Sequence, residues 1–227
     1  MGRTIAIGDI HGASRALAAL LDAIQPTPDD RLIALGDYVS RGIDSAGVIE
    51  RLIALRLQTQ LVCLRGNHEE MMMRSRNNPA ELRFWLSVGG EMALMSYAPL
   101  RMNLTLRSVP DSHWEFLDDF CVDRFETETH LFAHGGVDPE LPMAAQSPAV
   151  LRWKSFGQAK PHESGKVLIC GHTPQSSGLP NDKGFAICID TGAGSGGPIT
   201  ALDVNARTYW QATEDQKVSR GPLMPPS

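Results

Sequence analysis

Thr4-Ile5-Ala6-Ile7-Gly8-Asp9-Ile10-His11-Gly12 opens with a short aliphatic run that stops at a glycine and spills into an acid and a histidine. Four later stretches repeat the pattern. Leu32–Leu35 runs into Gly36-Asp37-Tyr38-Val39-Ser40-Arg41-Gly42, and Leu61–Leu64 precedes Gly66-Asn67-His68-Glu69. His130–Ala133 leads to His134-Gly135-Gly136, and Val167–Cys170 to Gly171-His172-Thr173. Runs of this length and composition suit buried strands. Asp, Asn and His therefore recur at strand ends, where open α/β sheets hold their ligands. Any one motif reads equally well as a turn, but all five in order, each behind a strand, point to chemistry.

Outward from these motifs, the first third alternates strand and helix. Ser14 is placed to cap a helix with Leu17, Leu20, Leu21 and Ile24 on one face, ended by Pro26 and Pro28. A strand over Arg31–Leu35 follows, then a helix from about Ser45 with Val48, Leu52 and Leu55 inward, then a strand over Gln60–Leu64. This βαβαβ order predicts parallel strands. From Glu69 to about Phe120 the pattern is helical. Asn78-Pro79 starts one helix, and Ser112 with Glu115 forms a capping box for another carrying Trp114, Leu117 and Phe120. Strands return at Thr129–Ala133, Lys166–Cys170, Phe185–Ile189 and Ile199–Val204. The last two are joined by the glycine-rich Thr191–Gly197, which predicts an antiparallel meander. Beyond Glu214 periodicity is lost and prolines accumulate. The expected organisation is one domain over residues 1–213, a helical insertion at about 69–120, and a flexible tail at 214–227.

The chain has 227 residues, enough for one well-cored domain, with 42% hydrophobic and 21% charged residues. A net charge of -5 argues against a general nucleic-acid binder. Cys63, Cys121, Cys170 and Cys188 form no CxxC pair and read as small buried hydrophobes in a reducing compartment. No leader-like segment and no membrane-length apolar run is visible, so a cytoplasmic protein is expected. His113, His130 and His162 lie outside the strand-end set and read as surface or capping residues. Trp85, Trp114 and Trp210 read as core, with Trp153 able to edge a cleft.

Asp9, His11, Asp37, Asn67, His134 and His172 offer carboxylate, imidazole and amide but no thiolate, a donor set suited to Mn, Fe, Zn or Co. Two metals need a shared ligand, and the carboxylate of Asp37 is the natural bridge. Two divalent ions, two carboxylates and one bridging hydroxide leave a single positive charge, enough to attract a phosphate dianion. Metals roughly 3.5–4 Å apart activate water for in-line displacement. His68, beside Asn67, is placed as a general acid for the leaving oxygen, and Arg41 to fork onto phosphate oxygens. No G-x-S-x-G elbow supports a serine hydrolase, and Gly194–Gly197 lacks the Lys-Ser/Thr of a P-loop.

The strings GDIHG, GDYVSRG and GNHE, followed by HGG and GHT, resemble the phosphoprotein phosphatase family of calcineurin-like metallophosphoesterases, in its bacterial serine/threonine protein phosphatase form. The resemblance runs from about Thr4 to Val204. It implies an α/β (α+β) fold, a four-layer αββα sandwich with two mixed β-sheets. It further implies two divalent metal ions, manganese in bacterial members, and hydrolysis of phosphoserine and phosphothreonine by a metal-bridging hydroxide. By this match Asp9, His11 and Asp37 hold one metal, and Asp37, Asn67, His134 and His172 the other. His68 matches the general acid and Arg41 the first phosphate-binding arginine. Arg152 is the choice for the second, with Lys154 as the alternative. The substrate would be a phosphorylated protein or small phosphoester, with neither nucleic acid nor membrane as partner. Two other readings stand beside it: a dinucleoside polyphosphate hydrolase, whose symmetrical members often carry Gln where His11 stands, and a non-catalytic phospho-binding protein.

One position departs from the family pattern. Ser40 stands where an Asp commonly supports the general-acid histidine, which leaves His68 a weaker acid unless Asp44 or Glu69 substitutes. Ser40→Asp is therefore expected to raise turnover of alkyl phosphates more than that of nitrophenyl phosphate, whose leaving group needs no proton. Steady-state rates on both esters check this, and equal or reduced rates on both would sink the idea.

Overall fold

The computed structural model describes residues 2–98 and 105–226; part of the expected helical insertion, residues 99–104, lies outside the described residues. The chain begins with β1 (Thr4–Ile7), α1 (Ser14–Ile24), β2 (Arg31–Ala34), α2 (Ser45–Leu55) and β3 (Gln60–Cys63). The insertion follows as α3 (Asn67–Ser75), α4 (Pro79–Trp85), α5 (Glu91–Tyr97) and α6 (Asp111–Glu115). Then come β4 (Arg124–Glu126), β5 (His130–Ala133), α7 (Pro148–Trp153), β6 (Val167–Cys170), β7 (Asn181–Asp182) and β8 (Ala186–Cys188). The chain closes with β9 (Ile199–Asp203), β10 (Thr208–Ala212) and β11 (Val218–Pro222).

Two mixed sheets result. The first has the order β11-β10-β9-β1-β2-β3, with β1, β2 and β3 parallel and β9 antiparallel to β1. The second has the order β4-β5-β6-β8-β7, with β5, β6 and β8 parallel. Side chains alternate along each strand and so divide the core into three layers. Ile5 and Ile7 point to the helices, packing with Leu17 and Leu20 of α1 and Val48 and Leu52 of α2. Ala6 and Ile33 point the other way and meet Phe132, Ile169 and Ile187 of the second sheet. Leu131, Ala133 and Leu168 face outward again, onto Leu151 of α7 and Phe156. Helices, sheet, sheet and helix are thus stacked as the expected four-layer αββα sandwich.

Four local expectations are corrected. The strands around Phe185–Ile189 and Ile199–Val204 are not a meander: β8 belongs to the second sheet and β9 to the first, so the glycine-rich segment crosses the sandwich. Ser14 does not cap α1; its hydroxyl bonds Asp44 Oδ2, while Asp44 Oδ1 accepts from Gly47 N at 2.9 Å and caps α2. The 111–115 helix starts on Pro110 rather than through Ser112, since proline already presets the turn at the cap position. Finally, residues 218–222 of the expected tail pair antiparallel with β10, from Thr208↔Pro222 to Ala212↔Val218. An edge strand with one face in water needs no apolar alternation, which is why composition hid it.

The C-terminal stretch also reaches α1. Glu214 Oε2 accepts from Ala16 N at 2.8 Å, satisfying a first-turn N–H that α1 cannot pair internally. Arg220 lies 4.9 Å over the Trp210 ring, its cross-strand partner. Glu214→Ala is expected to destabilise the fold by about 1 kcal/mol, the usual cost of a lost helix cap. A lowered urea midpoint at unchanged m-value would show it; an unchanged midpoint would remove the carboxylate from the cap.

Candidate metal centre

Each ligand candidate leaves the carboxyl end of a strand. β1 delivers Asp9 and His11, β2 Asp37, and β3 Asn67 and His68, while β5 delivers His134 and β6 His172. The first two loops are locked together by their backbones: Ile10 N and His11 N donate to Asp37 O at 3.0 and 2.8 Å, and Gly12 N donates to Tyr38 O. The second sheet is tied in through Asp9, whose carboxylate accepts from His172 N at 3.1 and 3.2 Å. His11, Asp37, Ser40, Arg41 and His172 all adopt positive φ. Non-glycine residues in that region cost roughly 1–3 kcal/mol each and persist where the surroundings over-determine them. Gly66 and Gly171 leave room for the carboxylates, because a Cβ at either would collide with Asp37 Oδ1 or Asp9 Oδ1.

The structure brings all six proposed ligands together and buries five of them, with His172 half-buried. His11, Asp37 and His68 form one group with ligand atoms within 4.8 Å of one another, and Asp37, His134 and His172 form a second. Asp37 is common to both. Its Oδ2 lies 3.5 Å from His11 Nε2, and its Oδ1 lies 3.3 Å from His134 Nε2. Asp9 Oδ2 stands 3.8 Å from His11 Nε2. Asn67 Oδ1 lies 3.0 Å from His134 Nε2 and 2.9 Å from His172 Nδ1.

The donor chemistry fits bound cations. His11 Nδ1 is 3.0 Å from Val39 O and His134 Nδ1 is 3.0 Å from Leu35 O, so each imidazole donates its Nδ1 proton to a backbone carbonyl. In the neutral rings that leaves both Nε2 lone pairs aimed at the carboxylate of Asp37, acceptor against acceptor. His11 Nε2 is buried without any hydrogen-bond partner among the described residues. Such a convergence of lone pairs asks for positive charge between them.

Electrostatics agree. Burial pushes His11 down to about 3, with Asp37 opposing and His68 and Arg41 adding to the fall. Burial and the neighbouring His134 hold His172 down to about 4. Both rings are therefore neutral ligands at physiological pH. Burial would raise Asp37, but His134, His68 and His11 outweigh it and hold the carboxylate well below its usual range. His134 is the complement: burial lowers it, Asp37 more than reverses that, and the net shift is upward.

Glu69 is a positioning residue that the motif reading left in a lesser role. Buried completely, its carboxylate accepts from Asp37 N (2.7 Å), Tyr38 N (2.8 Å), Val39 N (3.2 Å) and Gly66 N (2.9 Å), and so holds the strained Asp37 loop. Those bonds occupy Glu69, and Asp44 is occupied by Ser14 and Gly47. Neither stands in for a carboxylate at Ser40, so of the two alternatives an unsupported His68 is the one found: its Nδ1 is buried with no hydrogen-bond partner among the described residues. Ser40 Oγ itself accepts from Trp85 Nε1 at 2.9 Å. His68 Nε2 lies 3.4 Å from Arg41 Nη2, so the proposed acid and phosphate ligand converge.

Arg152 is not directed at this cluster. Its guanidinium bonds Asp123 at 2.6 and 3.1 Å and reaches Glu70 at 3.2 Å. Trp153, 41% exposed, donates to Glu70 Oε2 at 2.8 Å and stands edge-on to His172 with ring centroids 6.2 Å apart. Lys154 runs along Gly136 of the HGG loop and donates to Val137 O at 2.8 Å. His113 is buried rather than superficial, bonded to Tyr97 Oη and Glu50. Among the described residues no helix is long and apolar enough to cross a membrane.

Comparison with known proteins places this geometry. The PP2A-like serine/threonine-protein phosphatase PPG1 of Saccharomyces cerevisiae is 26% identical over 77% of this chain and 42% of its own length. Serine/threonine-protein phosphatase 1 of Salmonella typhimurium is 35% identical over 37% of this chain and 38% of its own. The chain thus spans about two fifths of the length of these relatives. A symmetrical bis(5'-nucleosyl)-tetraphosphatase of Salmonella paratyphi B is 26% identical over 96% of this chain and 97% of its own. Among solved structures, a putative diadenosine tetraphosphatase aligns with TM-score 0.66 at 23% identity, covering 98% of this chain and 94% of that one. A cold-active protein tyrosine phosphatase aligns with TM-score 0.67 at 15% identity, covering 98% and 80%. These structures share the fold. Residues 2–193 match the family described as calcineurin-like phosphoesterase, and with most of its length inside that match the chain belongs to this family.

Proposed function

We propose that the protein is a metal-dependent phosphomonoester hydrolase of the serine/threonine protein phosphatase type, working with two divalent ions, manganese by preference. The observation that carries this reading is Asp37, shared between two ligand groups, with Arg41 and His68 side by side at one flank. Bound there, the metals would neutralise phosphate charge and lower the pKa of water. The protein's own groups supply the rest. Arg41 orients the phosphate by forking onto two of its oxygens. His68 Nε2 passes a proton to the leaving oxygen; burial lowers its pKa, with Asp37 opposing, so the ring carries that proton less often than one supported by a carboxylate. Because Arg152 is engaged by two carboxylates, Lys154, lying against the HGG loop, is the better second phosphate cation.

One observation favours the dinucleoside polyphosphate reading: the near-complete mutual coverage with the symmetrical tetraphosphatase. Against it stands His11, where those enzymes often carry Gln. The non-catalytic reading is disfavoured by the assembled ligand set.

Rates on a phosphoserine peptide, diadenosine tetraphosphate and a nitrophenyl diester, after chelation and manganese return, test these readings. Activity should vanish with chelation, return with manganese, and favour the phosphopeptide at least about tenfold in kcat/KM, a difference of ~1.4 kcal/mol. A preference for the tetraphosphate would transfer the chain to the second reading, and inertness to all three would favour the binder. Lys154→Ala is expected to raise KM for the phosphopeptide roughly tenfold with little change in stability. Arg152→Ala should instead lower stability by about 1 kcal/mol and leave KM unchanged, since Asp123 keeps Arg65 and Glu70 keeps Arg74 and Trp153. The reverse pattern would restore Arg152 to the phosphate.

A further inference from the structure

β8 ends at Cys188, and two residues later stands Asp190, 1% exposed. None of the five motifs contains it. Its Oδ1 accepts from Gly192 N at 3.0 Å, which holds the turn into the glycine-rich crossing. Its Oδ2 is buried and has no hydrogen-bond partner among the described residues. A buried acceptor left bare costs about 1–3 kcal/mol, and more when charged. A fold that keeps such an atom usually has something to complete it.

The strand order shows what that is. Ile189 N donates to Cys170 O at 2.9 Å, so the end of β8 runs level with the strand end that carries His172. Gly8 lies against the carbonyl of Ile189, which brings Asp9 out beside Asp190. Beyond Asp190, Gly194 closes over His11 and the stem of Arg41. Burial, then Asp190, then Asp37 push the Asp9 carboxyl well above its usual range. Asp190 is raised in turn, by burial first, with its Gly192 bond, His134 and Arg41 opposing and Asp37 adding to the rise. Asp9, Asp37 and Asp190 thus form a mutually repelling set in which one Asp190 oxygen is unpartnered, as is His11 Nε2.

We infer that Asp190 is a further acidic residue of the divalent-cation site, a positioning residue whose Oδ2 strengthens the hold on the cation beside Asp9. The inference rests on the metal reading proposed above. A third carboxylate shifts the donor set toward oxygen and so toward hard ions such as manganese. It also brings the loaded site closer to neutrality, which weakens retention of the phosphate product.

Asp190→Asn separates this role from a structural one, because the amide keeps Oδ1 for Gly192 N and changes only Oδ2. Metal-stripped wild type, Asp190→Asn and the control Asp203→Asn would be titrated with manganese chloride by calorimetry, and their metal-free melting temperatures compared. Asp203 is also buried, but its carboxylate serves the Asn205–Ala206 turn. Expected is a loss of at least ~tenfold in manganese affinity for Asp190→Asn, the cost typical of an outer-shell partner, with unchanged affinity for Asp203→Asn. The stripped Asp190→Asn protein should melt at the same or a higher temperature, since a repelling buried charge is gone. Unchanged manganese affinity overturns the inference while leaving the metal reading intact. A lowered metal-free melting temperature, or failure to fold, assigns Asp190 to structure and also overturns it. Wild type that binds no manganese brings down both.

Discussion

The site depends on one buried carboxylate that faces two ways. Asp37 points Oδ1 toward His134 and accepts from His68 N at 3.0 Å, while Oδ2 points toward His11. No ordinary loop holds such a residue at φ 53° with both oxygens turned inward. The Asp37 loop does so because Glu69, on the first turn of α3, gathers its three consecutive N–H groups on one carboxylate. Glu69 can reach them because it also grips Gly66 N, which starts α3 beside the loop. Burial and the nearby Asp37 charge push Glu69 up to about 7. Positioning Asp37 is therefore electrostatically costly, and those backbone donors offset the cost.

A second constraint is the packing of the two sheets. Asp9, Asp37 and Asn67 come from the first sheet, and His134 and His172 from the second. The relative placement of the two ligand sets is thus fixed by the layer in which Ala6 and Ile33 meet Phe132 and Ile169. Close-packed layers resist sliding, since even a methylene change is felt. Within the site, the bond from His172 N to Asp9 links the sheets a second time. The geometry of the candidate ligands is a property of the sandwich as much as of any loop.

How much of this could be read beforehand follows from the same physics. Strand-end motifs announce themselves because a short aliphatic run against a polar stop is a strong local contrast, and Asp9, His11, Asp37, Asn67, His134 and His172 all lie on such stops. Asp190 follows Ile187-Cys188-Ile189 and is followed by Thr191-Gly192, the same contrast. A hairpin there would put this acid in a surface turn; the crossing between the sheets buries it instead. Arg152 finds Asp123 and Glu70, partners 29 and 82 positions away that no local pattern connects. β11 and the Glu214 cap were hidden for a similar reason, since the cap joins residues 198 apart. Periodicity reports which face of an element is buried; it does not say which distant group completes it.

The helical insertion then takes on a definite place in the chemistry. Trp85 ends α4, is wholly buried, and spends its indole N–H on Ser40, the position that departs from the family pattern. Immediately after it, Gly89 accepts from Arg41 N at 3.0 Å and packs against the Arg41 stem at a distance that a Cβ would obstruct. Ser40 and Arg41 both hold positive φ, and these two contacts from the insertion brace them there together with the bond from Ser40 N to Ser45 Oγ at 3.1 Å. The site accordingly divides in two. The half around Asp37 is held by Glu69 at the start of α3 and by the carbonyls of Leu35 and Val39, whereas the half around Arg41 is tied to the Trp85–Gly89 stretch of the insertion. With Ser40 committed to Trp85, the support a carboxylate would lend His68 has been exchanged for a rigid mount under Arg41. On the roles proposed for Arg41 and His68, this arrangement holds the phosphate-orienting group more firmly than the proton donor.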